Sequence, residues 1–210
     1  MESRIILVGG GAFAREVINW TDHVYNKVRG GSIKGFLDEN PNALDGFDYQ
    51  VPYLGKIDSF HPVQGDKLLM AVGDPFDKKR IFEMFKKRNA QFIQIIHPTA
   101  VIANSAKLGE GVVVCPQAFI SADAVIGDAV AINGCTSIGH DVVVGNYCTF
   151  SSHVDLTGWV KIAECVFFGT GARVLPKVKI AFGARIGAGA VIMRSVAENG
   201  VMYAPPAKKL

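Results

Sequence analysis

His140 and Asp141 stand side by side in the segment Ser137-Ile138-Gly139-His140-Asp141. A histidine next to a carboxylate has the parts of a general base. Imidazole exchanges a proton near neutral pH, and the carboxylate fixes its tautomer and stabilises the charged ring. Such pairs are common in surface turns, so the setting matters. Ile138 and Val144, with Thr136 and Val142, belong to an inward-facing pattern that leaves His140 and Asp141 on a turn at the outer surface.

A second candidate lies near the start of the chain. The apolar run Ile5-Ile6-Leu7-Val8 leads into Gly9-Gly10-Gly11-Ala12-Phe13-Ala14 and then an amphipathic stretch from Arg15 to about Lys27. This fits the G-x-G-x-x-A form of a nucleotide fingerprint, in which glycine lets a phosphate reach the backbone at a helix N-terminus. Asp38 falls where the ribose-binding acid of that fingerprint lies. The other reading is a strand-to-helix turn whose glycines serve packing alone. A full dinucleotide needs a second half-domain, and the chain changes pattern before one forms, so a mononucleotide-sized ligand fits better.

Two architectures must position these residues. Residues 1–95 alternate strand, helix and strand, with strands at Ile5–Val8, ending at Phe36-Leu37-Asp38, and at Lys67–Val72. A helix with a basic outer face follows over Pro75–Arg88, and Phe92–Ile95 leads onward. This is an α/β, Rossmann-like half-domain. Residues 96–210 are read as an all-β parallel β-helix. Seventeen large apolar residues recur every six positions from Ile96 to Ile192, the hexapeptide signature. Three rungs make a coil of eighteen residues, giving a little over five coils with nothing looped out. Small or β-branched residues sit two places before most inward positions, as at Ala118, Thr136, Cys148 and Ala184. Gly109, Gly127, Gly139, Gly145, Gly169 and Gly187 follow inward residues and are expected to turn corners at positive φ. Partly apolar outer faces predict side-by-side association, and the triangular section favours three chains.

Composition narrows the function. The net charge of +3 conceals a basic final third, with eight Lys and Arg against Glu164 and Glu198 from Leu156 onward. That balance suits a polyanion such as a phosphorylated cofactor. Nucleic acid is disfavoured because no stacking aromatics are interleaved with the charge. No apolar run approaches the roughly 18 residues of a membrane span, and no signal-like segment opens the chain, so a cytoplasmic protein with no membrane partner is expected. Cys115, Cys135, Cys148 and Cys165 are read as small core or wall residues. His97 is read as structural, His23 and His61 as surface residues, and His153 as outward-facing near the candidate site. With no close histidine pair, no metal is expected.

Gly9–Ala14, Gly35-Phe36-Leu37-Asp38-Glu39, His97-Pro98-Thr99-Ala100, Ile132-Asn133, the Ile138–Asp141 motif and Pro206-Ala207-Lys208 occur in that order over nearly the whole chain. In this arrangement the sequence resembles the bacterial sugar-nucleotide (amino-sugar) N-acetyltransferases of the hexapeptide-repeat, left-handed β-helix superfamily, which includes sialic acid O-acetyltransferase-like proteins. The resemblance implies a homotrimer with acetyl-CoA along the groove between adjacent β-helices and a nucleotide-linked amino-sugar on the N-terminal domain. His140 would be the general base for the acceptor amine, oriented by Asp141, and the Gly158 N–H would donate to the oxyanion. Gly9, Gly10, Gly11, Phe13, Asp38, Glu39 and Gly73 would hold the nucleotide sugar, with Asn133 near the acceptor. Thr149, Gly169, Thr170, Ala188 and Lys208 would line the cofactor groove. Transfer would be direct, without an acyl-enzyme, in surface-glycan synthesis such as that of lipopolysaccharide O-antigen.

Two positions depart from the pattern. Thr149 stands where some relatives carry a second histidine, and Phe13 where some carry a histidine in the glycine loop. Two other outcomes stay open from the sequence: acetyl transfer to a hydroxyl of sialic acid or a related sugar, and a non-catalytic nucleotide-sugar-binding trimer.

Overall fold

The computed structural model describes residues 4–27, 29–205 and 207. The chain opens with β1 (Arg4–Val8), α1 (Ala12–Tyr25), β2 (Ile33–Leu37), β3 (Tyr53–Gly55), β4 (Asp66–Met70), α2 (Pro75–Lys87) and β5 (Gln91–Phe92). The strands form one parallel sheet in the order β3-β2-β1-β4-β5. Apolar residues on both sides of β1 account for the helices. Ile5 and Leu7 pack with Ala14, Val17 and Ile18 of α1, while Ile6 and Val8 pack with Ile81, Phe82 and Phe85 of α2. β3 is a short edge strand that hydrophobic patterning does not reveal, since Tyr53 and Leu54 are exposed.

From Ile95–Ile96 onward, two-residue strands recur every six residues as far as Val191–Ile192, and Val201–Met202 adds a last one. They stack into three parallel faces of seven, six and five strands. In the middle coil, Ala131–Ile132 lies on the first face, Ser137–Ile138 on the second and Val143–Val144 on the third. Each residue pairs with the one eighteen further on, as Ile138 does with Leu156. The inward residues from Val114 to Ile192 are buried, whereas Ile96, Ile102 and Leu108 are only partly so. No earlier coil covers the lower edge of those three.

The corners differ from the expectation. Left-handed φ occurs three residues after the inward residues, two places later than the predicted glycines stand, at Gly111, Gln117, Asp123, Ala129, Cys135, Asp141 and on to Gly189. Most of these residues are not glycine, at about 1–2 kcal/mol each. The strain is offset by hydrogen bonds back to the preceding coil, such as Asp141 N–H to the Ala122 carbonyl at 3.1 Å. The predicted glycines answer to crowding instead: a Cβ at Gly139 would lie 2.7 Å from the Leu156 carbonyl oxygen, and one at Gly145 2.7 Å from the Ala163 carbonyl carbon. With coils only about 4.8 Å apart, a side chain there meets the next coil. Cys135 likewise departs from the expectation, since it is exposed on such a corner while the other three cysteines are buried.

The N-terminal sheet and helices sit on the first face and bury its outward Val113, Ala131 and Thr149. The α2 side also covers Ala129, Tyr147 and Cys165 at the corner joining the third face to the first. A buried lysine pins this junction. Helical spacing places Lys78 with Pro75, Phe82 and Phe85 on the inner side of α2, while Arg80, Lys86 and Lys87 form the exposed basic face. Its Nζ donates to the Cys148 carbonyl at 3.0 Å and to Thr149 Oγ1 at 2.7 Å. Thr149 in turn donates to the Gly73 carbonyl at 2.7 Å. Burial lowers the amine from its ordinary value of 10.5 to about 7. The two N–H bonds of a neutral amine match the two acceptors present.

Candidate active site

His140 and Asp141 project from the corner between the second and third faces, one coil below Gly158 and Trp159. His140 Nδ1 lies 2.8 Å from Asp141 Oδ2, and both side chains are a little under half exposed. An ionised carboxylate only accepts, so in the neutral form of the ring the proton sits on Nδ1 and Nε2 keeps the lone pair. The ring is held on two further sides. Trp159 meets it edge-on, with centroids 4.4 Å apart and planes at 90°. Gly158 on the next coil backs the ring, where an added Cβ would stand 2.5 Å from the imidazole Cε1 and 2.6 Å from Nε2. The Trp159 N–H also donates to the His140 carbonyl at 3.1 Å, locking the two corners together. Among the described residues the Gly158 N–H has no hydrogen-bond acceptor, which leaves it available to a ligand beside the ring.

Trp159 carries no chemical motif of its own, and only the repeat locates it: eighteen residues after His140 and Asp141 come Gly158 and Trp159. Lys78 is marked in the sequence only by its helical spacing from Pro75, Phe82 and Phe85.

The other anticipated groove residues lie elsewhere on the prism. Asn133 occupies the corner between the first and second faces, where Cys115 Sγ contacts its Oδ1 at 3.5 Å. Gly169, Thr170 and Ala188 lie at the same corner in later coils, with Thr170 and Ala188 exposed and Gly169 pressed against the Ala188 backbone. Thr149 requires a correction. It is buried, and its hydroxyl is engaged by Lys78 and Gly73, so it ties the N-terminal unit to the β-helix instead of opening onto a groove. Lys208 lies outside the described residues.

The glycine loop has the features of an anion cradle. Gly9 has φ of +107°, and a Cβ on Gly10 would strike the Ala43 side chain at 2.6 Å. At Gly11 a Cβ would meet nothing within 4 Å. Gly11 caps α1 without a side-chain hydrogen bond, and no acid occupies the first turn, so the helix N-terminus is free to accept an anion. In α2, by contrast, Asp74 caps the backbone N–H groups of Phe76 and Asp77. Asp38 Oδ2 accepts from the Gly10 N–H at 2.7 Å and Oδ1 from the Asn40 N–H at 2.8 Å, so this carboxylate braces the loop. Glu39 is exposed, with Lys56 Nζ 3.9 Å away. Phe13 is half-buried and packs with the α1 side of the sheet, and Gly73 opens onto space at its Cα. His97 is buried, joined to Thr99 and, through Nε2, to His23 Nδ1 at 2.7 Å.

Within one chain, then, the loop that would take a phosphate and the imidazole that would take a proton are not neighbours. The N-terminal unit covers the first face, and His140 stands on the corner opposite that face.

No protein-family model matches the sequence. Among solved structures, PerB from Caulobacter crescentus, in complex with CoA and GDP-perosamine, is 30% identical, with 98% of this chain and 96% of that one covered at a TM-score of 0.85. The acetyltransferase domain of PglB from Neisseria gonorrhoeae shares the fold at 23% identity, complete coverage of both chains and a TM-score of 0.84. WeeI from Acinetobacter baumannii does so at 24% identity, with 99% of this chain and 100% of that one covered and a TM-score of 0.84. With hexapeptide coils carrying His140 on one corner, and with identity to a perosamine N-acetyltransferase running nearly end to end, the chain belongs to the sugar N-acetyltransferases built on a left-handed parallel β-helix.

Proposed function

We propose that the protein transfers acetyl from acetyl-CoA to the amine of a nucleotide-linked amino-deoxy-sugar of the 4-amino-4,6-dideoxy type, in surface-glycan synthesis. The carrying observation is the fixed imidazole: His140, paired through Nδ1 with Asp141, rests against Gly158 with its side chain nearly half exposed. The similar Caulobacter protein, crystallised with CoA and GDP-perosamine, supports the two substrate classes.

In this reading the sugar amine attacks the thioester carbonyl while His140 Nε2 takes its proton. The C–N bond forms, the tetrahedral oxyanion is met by the Gly158 N–H, and the C–S bond then breaks to release CoA as its thiolate, which takes up the proton that His140 holds. Transfer is direct. The buried thiols of Cys115 and Cys148 are pushed up to about 12 and that of Cys165 to about 11 by desolvation, the wrong direction for an acyl-carrying nucleophile. Gly9, Gly10 and Gly11 take the diphosphate at the start of α1, and Asp38 holds the loop in shape for it.

The separation of His140 from the glycine loop supports a site shared between chains, with His140 of one chain meeting Asn133 and the loop of its neighbour in a homotrimer. The second face carries exposed Val101, Phe119 and Val191, and the third Val125 and Val143, an apolar surface suited to such packing.

The experiment is thiol release from acetyl-CoA with a panel of UDP-, dTDP- and GDP-linked amino-sugars, and with sialic acid as the hydroxyl acceptor. Turnover with one amino-sugar is expected. Turnover with sialic acid alone would move the reaction to O-acetylation, and no turnover with any acceptor would leave a nucleotide-sugar-binding protein.

A further inference from the structure

The N-terminal sheet grows away from β1 on both sides, with β2 and β3 on one and β4 and β5 on the other. A ligand of such a sheet lies in the crevice beyond the carboxyl ends of the strands at that reversal. Here one wall is Gly9–Gly11 after β1 and the other is residues 71–74 after β4. The walls adjoin: a Cβ on Gly9 would stand 3.0 Å from the Ala71 carbonyl oxygen and 3.2 Å from Val72 Cγ2. They are braced differently. Asp38 holds the glycine loop from within the N-terminal unit, through the Gly10 N–H. The second wall is fastened to the β-helix at successive residues. The Gly73 carbonyl accepts from Thr149 Oγ1 at 2.7 Å, Asp74 Oδ2 lies 3.6 Å from Arg185 Nη1, and the Pro75 carbonyl is 3.9 Å from Cys165 Sγ. The Thr149 link is the shortest of the three, and its hydroxyl group is buried. A carbonyl oxygen only accepts, so the one hydroxyl proton of Thr149 points to Gly73, and Oγ1 in turn accepts from Lys78 Nζ at 2.7 Å. The relay runs one way, from the buried amine to the wall. At Gly73 a Cβ would meet nothing within 4 Å, and among the described residues its N–H has no acceptor, so this peptide has no other hold.

We propose that Lys78 and Thr149 are positioning residues for the acceptor: by holding the Gly73 carbonyl they fix the second wall of the crevice that takes the nucleotide of the amino-sugar. The proposal rests on the nucleotide-sugar reading above and adds two residues that touch no substrate. Without the hydroxyl the Gly73 peptide is free to rotate, and a ligand that needs one orientation must then order it on binding. The hydroxyl belongs to the β-helix and the carbonyl to the N-terminal unit, so acceptor affinity depends on how that unit is seated on the first face. The donor is spared. Thr149 is enclosed at the junction, and His140 stands on the corner opposite the first face. Lys78 also donates to the Cys148 carbonyl at 3.0 Å, which sets its amine beside Thr149 and keeps the relay in line.

The test is equilibrium binding of UDP, dTDP, GDP and CoA to the wild-type protein and to Thr149→Val, Thr149→Ser, Lys78→Met and the double variant Lys78→Met/Thr149→Val, with KM and kcat for the nucleotide sugar that the wild type acetylates. Thr149→Val keeps the shape and removes the hydroxyl. It is expected to weaken the preferred nucleoside diphosphate about 3–10-fold, the effect of one hydrogen bond, and to raise the KM of the nucleotide sugar in step. Affinity for CoA and kcat should stay unchanged. Thr149→Ser restores the hydroxyl and should bind as the wild type does. The double variant should lose no more nucleotide affinity than Thr149→Val alone, because the two residues act in one relay. Unchanged nucleotide affinity in Thr149→Val overturns the proposal. So does an equal loss for CoA, the mark of a generally loosened fold, or a loss that serine does not restore, which would assign the effect to packing. Additive losses in the double variant would remove Lys78 from the relay. Should Lys78→Met not fold, the valine and serine variants decide by themselves. The two readings fail separately: a wild-type protein that binds none of the three nucleotides removes the nucleotide-sugar reading and this proposal with it, whereas a wild type and a Thr149→Val variant that bind one equally well remove the positioning role alone.

Discussion

Gly158 and His140, eighteen residues apart, are in van der Waals contact, with the imidazole lying over the glycine Cα where a Cβ would come within 2.5 Å of Cε1. Gly158→Ala is therefore expected to displace the ring from the site while the coil stays intact, because the added methyl points outward from the corner. Turnover should fall about 10-fold or more, since even small displacements of a catalytic group carry large penalties. Steady-state kinetics beside a thermal melt will check this. A normal kcat would show that the ring position is not critical.

His140→Ala removes the base and is expected to lower kcat by about 10²–10⁴-fold with the fold unchanged. Asp141→Asn keeps the left-handed corner, which asparagine tolerates, but offers either donor or acceptor to Nδ1 and so loosens control of the tautomer. A smaller loss than that of His140→Ala is expected. Near wild-type rates in His140→Ala would dismiss the imidazole as base.

Asp38→Ala leaves the Gly10 N–H without its acceptor. The glycine loop should loosen and the KM for the nucleotide sugar rise, with acetyl-CoA affinity nearly constant. Titration of both ligands decides between this and a general destabilisation, which would weaken the two alike.

Lys78 makes stability depend on pH. Its folded value of about 7 lies below the ordinary 10.5, so between these limits the unfolded chain binds more protons than the folded one, and stability rises with pH. Below about 7 both states are protonated and the full cost of burying the charge remains. The slope from this one group is at most about 1.4 kcal/mol per pH unit. Denaturant titrations at pH 7 and 9 are expected to show the rise in the wild-type protein and a flatter response in Lys78→Met. This window lies mostly below the pH at which the unfolded thiols ionise, where the buried Cys115, Cys148 and Cys165 would act in the opposite direction. Equal slopes for the two proteins would show that Lys78 does not titrate there.

The six-residue period by itself determined the β-helix, its inward residues and the outward setting of His140 and Asp141, because each strand is two residues long and one misplaced side chain would break the stack. It also held the partners of His140: adding eighteen to 140 and 141 names Gly158 and Trp159. The glycine loop was legible for a local reason, since a strand-to-helix turn acts through backbone shape. Tertiary structure decided what depends on contacts between distant segments. Thr149 looked like a groove residue until Lys78 and Gly73 enclosed its hydroxyl, a meeting across more than seventy residues. The corner glycines looked like turn formers until the neighbouring coil showed that they serve close approach, with the left-handed residues two positions later held by hydrogen bonds to the coil before. The sequence named both the histidine and the phosphate loop, but only the packing of the N-terminal unit on the first face showed that a single chain holds them on opposite sides of the prism.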